Sequence, residues 1–105
     1  MVEISKHDWK LFRERVPQWQ ERYMERLTKE YIDLLSSPGN ASDHFWELEK
    51  RIKQDKKNPG VLIEMRRSTA IWDIAIYVGN KVITLDELEG FSEDLIDAVK
   101  LILSR

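Results

Sequence analysis

Apolar residues recur at helical spacing through the first third of the chain. Phe12, Val16, Trp19, Tyr23, Leu27, Tyr31 and Leu34 follow one another at steps of three or four, a single stripe about 30 residues long. The remaining positions are dense in charge, and Glu25–Lys29 stands in the favourable i,i+4 order. Ser5 to Asp8 (SKHD) has the spacing of a capping box, in which Ser5 accepts from the third amide and Asp8 reaches back. Pro17 removes one backbone bond, yet the stripe keeps its phase across it, so a kink near Pro17 is expected rather than a break.

Ser36 to Asp43 (SSPGNASD) is a turn by composition. A second helix over Ala41–Lys57 follows, capped from Asn40 or Ser42 and thin in apolar residues: Phe45, Leu48 and Ile52, with Trp46 alongside. Asn58 and Pro59 then supply a cap and a first-position proline for a third helix reaching Val78, so the second and third helices are expected to join in a tight corner. Gly79 to Lys81 stops the third helix. Thr84 to Glu87 (TLDE) opens a short turn of helix that Gly90 breaks, and Ser92 caps a last helix with Leu95, Ile96, Val99, Ile102 and Leu103 on its apolar face. Val82 and Ile83 read as a short extended piece without a partner strand. The expectation is an all-α fold: a compact helical bundle of four main helices, the first long and kinked near Pro17, plus one short helix, in a single domain over 1–105.

The third helix holds the arginine pair Arg66 and Arg67. At about 100° per residue, Val61, Leu62, Met65, Trp72 and Ile76 cover one arc, and Ile63, Ala70, Ile71, Ile74, Tyr77 and Val78 a second, nearly opposite one. A helix apolar on two sides is buried on two sides. Arg66 would share a polar seam with Asp73. Arg67 would fall among isoleucines and need a partner, Glu64 or an acid of the C-terminal segment, because an unpaired buried guanidinium is too costly. Trp19 and Trp72 read as core, and Trp9 and Trp46, near helix starts, as half exposed.

Composition narrows the function. The chain has 105 residues, 42% of them apolar, with four Trp and no Cys. That suits one domain with a core of its own. It excludes disulfides and thiolate chemistry, and it fits a reducing cytoplasm, the expected location. No apolar run approaches the roughly 20 residues of a membrane span, and the N-terminus lacks a secretory signal pattern. Net charge is −2 but unevenly placed: residues 1–70 carry 14 Lys/Arg against 12 Asp/Glu, and residues 71–105 carry 3 against 7. The split implies attraction within the domain or between two copies.

Lys50 to Lys57 is the most basic stretch, with five Lys/Arg in eight residues. Lys50, Arg51, Lys53, Lys56 and Lys57, with Arg66, are therefore the candidate anion or nucleic-acid contacts. A helix-turn-helix reading is opposed by the oily character of the third helix, which offers few polar groups to read bases. Trp9, Trp46 and Arg67 are the candidate interface residues. His7 and His44 show no metal-ligand spacing, and Asp86 to Asp94 lacks the alternating oxygens of a calcium loop. No phosphate loop or nucleophile–base pattern is present, so no catalytic residue, metal or cofactor is nominated.

From Asp8 to Ser68 (DWKLFRERVPQWQERYMERLTKEYIDLLSSPGNASDHFWELEKRIKQDKKNPGVLIEMRRS), and again from Val82 to Leu103 (VITLDELEGFSEDLIDAVKLIL), the chain resembles a set of small proteins from gut Firmicutes. Some carry the label "multidrug transporter", which the lack of a spanning segment opposes. The resemblance covers nearly the whole chain. It implies a compact stand-alone protein and carries no activity or site residue with it. The leading expectation is a non-enzymatic protein–protein interaction module that self-associates, as a homodimer. A nucleic-acid-binding regulator using Lys50–Lys57 is the alternative.

Overall fold

A single helix sets the length of the molecule. In the computed structural model, which describes residues 3–105, α1 runs over Lys6–Ser36 and carries Pro17 inside it without a break. Its 31 residues span about 46 Å at 1.5 Å each, nearly the whole 51 Å long axis. The other helices are α2 (Ala41–Asp55), α3 (Ala70–Gly79) and α4 (Glu93–Leu103), with 3-10 turns at Arg67–Thr69 and Leu85–Leu88. The all-α class with four main helices is as expected, and no strand occurs among the described residues.

The core gathers on the first half of α1. Phe12, Val16 and Trp19 pack with Ala70, Ile71, Ile74, Ala75 and Tyr77 of α3, with Val82, Ile83, Leu88 and Phe91 of the following loop, and with Leu95 and Val99 of α4. Its centre is aromatic: the Trp19 ring lies 6.0 Å from Tyr77, 6.2 Å from Phe12 and 6.3 Å from Phe91. Fully burying each such side chain stabilises by roughly 1.5–3 kcal/mol.

Beyond Leu27, α1 leaves this head and pairs with α2 as a projecting hairpin. No residue of α2 is buried. Leu27, buried outside the core cluster, and half-buried Leu34, Leu48 and Ile52 supply its apolar contact, and polar ties add to it. Tyr31 donates to Asp55, Arg51 pairs with Glu30 at 3.0 Å, and Asn58 donates to the Tyr23 hydroxyl at 3.1 Å. Burial, then the bond to Asp55, pushes the Tyr31 hydroxyl up to about 12. The hairpin explains a radius of gyration of 16.4 Å, against about 13 Å for an ordinary domain of this size.

The expected third helix is corrected at its N-terminal half. Asn58 does begin a turn: its carbonyl accepts from Val61 and Leu62, and its side chain accepts from the Gly60 amide at 2.8 Å. The chain then runs extended over 62–66, and α3 starts only at Ala70. In this segment Val61, Ile63 and Met65 are half-buried, while Leu62, Glu64 and Arg66 are exposed. That is the alternation of an extended chain. The segment lies along α1, sharing a surface cleft with Arg13, Val16, Pro17 and Gln20. Packing on α1 overrides helix propensity, and no tight corner joins α2 to α3.

Gly60 shows how close that packing is. A Cβ there would stand 2.7 Å from Tyr23 Cδ2 and 2.9 Å from Val82 Cγ2. At Gly79 it would meet only Leu103 Cδ2, at 3.4 Å. We expect Gly60→Ala to cost roughly 1–3 kcal/mol in urea unfolding. Gly79→Ala is expected to be neutral or to stabilise by up to about 1 kcal/mol. Wild-type stability in Gly60→Ala would contradict the close approach.

Candidate functional site

The basic stretch divides when folded. Arg51 turns inward and is taken up by Glu30 and Asp55, its guanidinium 5.6 Å above the Tyr31 ring. Lys53 pairs with Glu49 at 3.4 Å along the helix. Lys50, Lys56 and Lys57 are exposed. Trp46, Lys50 and Lys53 recur at i, i+4 and i+7, which places them on one outer face of α2. Beside them stands Phe45, its ring edge-on to Trp46 at 5.0 Å, and both aromatics are 61% exposed. They sit at the tip of the hairpin, next to the Ser37–His44 contact at 3.3 Å.

The arginine pair is elsewhere and apart. Arg66 borders one surface cleft with Thr69 and Asp73, but it does not pair with Asp73. It bonds Glu64 at 2.7 Å, its neighbour two residues back on the same side of an extended chain. Asp73 instead accepts from the Thr69 hydroxyl at 3.1 Å. Burial raises the Asp73 carboxyl above its ordinary range. Arg67 is not among isoleucines: it is exposed and donates to the Ile4 carbonyl at 3.3 Å. Both corrections follow from the missing half-helix. Arg66 thus lies off α2, on the segment that follows Pro59 and beside that proline, while Arg51 and Lys53 are taken up by acids.

Trp9 is half-buried against the core with Arg13 above its ring at 5.4 Å. Trp72, expected in the core, is 36% exposed. The reason is the shortness of α3, which buries Ile71, Ile74 and Ala75 on one side and leaves Trp72 and Ile76 on the other. Trp72 borders a groove between α3 and α4. Its volume is about 570 Å³, and Ile71, Trp72, Asp94, Asp97, Ala98, Leu101, Ile102 and Arg105 line it. Leu101 is 60% exposed. The sequence signal for this groove is an apolar residue, Leu101, off the core face of α4, and Trp72 on α3.

A second charged cluster ties α1 to the 3-10 turn at Leu85–Leu88 within the head. Arg22 donates both Nη atoms to Glu87 at 2.8 and 3.0 Å, and Arg15 donates to the Glu87 carbonyl at 2.8 Å. This is one place where the basic and acidic parts of the chain attract each other. His7 bonds the Gly90 carbonyl at 3.0 Å, remote from His44. Among the described residues, no group of three or more metal-ligating side chains is placed to hold an ion, and no helix is long and apolar enough to cross a membrane. No family model, curated protein or solved structure matches the chain.

The hydrogen bonds of Arg22 hold the Glu87 carboxyl below its ordinary range. A carboxyl lowered by folding adds stability above its unfolded pKa, about 4.3, and loses that contribution as pH falls through the lowered value. Arg22 is more than half exposed, so the contribution at neutral pH is at most about 1 kcal/mol. Urea titrations of wild type and Glu87→Gln should differ by that amount at pH 7 and converge in acid. A difference that grows on acidification would contradict the assignment.

Proposed function

We propose that this chain is a non-enzymatic protein–protein interaction module that self-associates. The observation carrying this reading is the α3–α4 groove. Its apolar walls, with Trp72 and Leu101 open to solvent, are edged by Asp94, Asp97 and Arg105. Apolar surface rimmed by polar groups is characteristic of interaction sites, and exposed tryptophan is a frequent anchor in them. The strongly engaged polar groups support the same reading. Asp8, Asp55, Glu87, Tyr31 and Tyr77 are each bonded to another element of the fold, so their work is structural. Sedimentation equilibrium over a concentration series should show the mass rising above the 12.5 kDa monomer. A monomer at every concentration would sink self-association.

One observation favours a second reading. Trp46, Lys50 and Lys53 share an exposed face, with Lys57 in the turn that follows. Aromatic and basic groups together suit a nucleic-acid backbone and its bases. In this reading α2 lies on the nucleic acid directly, and α3, largely buried, is no recognition helix. Salt-sensitive DNA binding lost on neutralising these lysines would establish it; no shift of duplex DNA at low salt would exclude it.

A further inference from the structure

Two exposed apolar surfaces lie at opposite ends of one continuous helix. The groove belongs to the head, built on the first half of α1. The Phe45–Trp46 tip belongs to the hairpin, where α1 ends. The head is tied to the start of α1 through Asp8 and Ser92, and the tip to its end through Ser37 and His44. Unbroken, α1 prevents a chain from folding its own tip onto its own groove.

We propose that the α3–α4 groove receives the Phe45–Trp46 tip of a second copy of this chain. The inference rests on the self-association reading above and adds which surfaces meet. The shapes and chemistry correspond. Two aromatic rings already packed edge-on present an apolar wedge with little rotamer freedom left to lose. The groove offers Ile71, Ala98 and Ile102 below and Trp72 and Leu101 at the sides.

The charges correspond too. Asp94 and Asp97 line the groove, with Arg105 as the one cation among its lining residues. Glu93 precedes them on α4 and Lys100 follows, while Asp73 of α3 is occupied by Thr69. The tip brings Lys50 on the face of Trp46, with Lys57 in the turn beyond, while Lys53 and Glu49 satisfy each other. Among its acids, Asp43 accepts from Asn40, leaving Glu47. Lys50 and Lys57 thus face the segment of the chain with 7 acids to 3 bases, and such complementarity sets register and favours encounter. The contact joins unlike surfaces, so one copy keeps its tip available and the other its groove.

Complementation tests this directly. One variant carries Phe45→Ala and Trp46→Ala, and a second carries Leu101→Glu. These positions are 61%, 61% and 60% exposed, and unchanged far-UV circular dichroism confirms that both fold. Each variant alone should associate roughly 30-fold more weakly than wild type. An equimolar mixture should recover association, because the groove of the first meets the tip of the second. A Leu101→Glu chain that associates as wild type does, or a mixture that stays monomeric, would overturn the tip-in-groove contact and leave self-association standing. A monomeric wild type would overturn both. DNA binding that requires Trp46 and Lys50, without association between copies, would assign the tip to nucleic acid and likewise overturn it.

Discussion

The carboxylate of Asp8 is the point on which the head is assembled. It is 1% exposed and the one charged side chain among the buried residues described. Burying a carboxylate costs several kcal/mol unless its oxygens are bonded. Here they accept from the backbone amide of Ser92 at 3.0 Å and from the Ser92 hydroxyl. Ser92 is itself the N-cap of α4 and accepts from Leu95. The Asp8 amide meanwhile donates to Ser5, the N-cap of α1. One residue therefore satisfies groups at the starts of two helices and fixes them side by side. From that junction α4 runs back along α3, and Trp19, Tyr77 and Phe91 close around the space between.

This arrangement separates what holds the molecule together from what it exposes. Apolar burial is greatest in the head, while the hairpin combines Leu27 and half-buried Leu34, Leu48 and Ile52 with hydrogen bonds, ion pairs and the flank of Tyr31. With no residue of α2 fully buried, the hairpin belongs to the less stable end of the molecule. Its aromatics and lysines are exposed on an element that spends none of them on the core. The groove has a related origin: a ten-residue α3 and an eleven-residue α4 bury one side each and leave Trp72 and Leu101 at the seam.

Much of the fold was legible because local signals agreed with the tertiary result. The stripe from Phe12 to Leu34 became one helix, though its second half meets α2 rather than the core. Ser5 and Ser92 cap as their positions suggest. The capping box was half right: Ser5 takes the Asp8 amide, but Asp8 reaches a residue 84 positions away, which no local pattern encodes. Residues 61–66 misled because apolar runs satisfy helical and extended periods alike. Alternate burial of Val61, Ile63 and Met65 is equally present in the sequence, and only contact with α1 selects it. The readings of Arg67 and Trp72 failed together, since both were placed on that one helical wheel, whereas Arg66 does border a cleft with Asp73 but pairs with Glu64. The groove needs α3 and α4 in register, which no single element encodes, whereas Lys50, Lys53 and Trp46 lie on one helix and share a face that its spacing predicts.

The division into a locked head and a lightly held hairpin is the claim from which the rest follows. Native-state hydrogen exchange resolved by segment tests it most directly. Amides of α3, α4 and the first half of α1 should exchange only through global unfolding and share one high protection. Those of α2 and of α1 beyond Leu27 should exchange through a separate, lower-energy opening. Uniform protection across α2 and α3 would contradict the account.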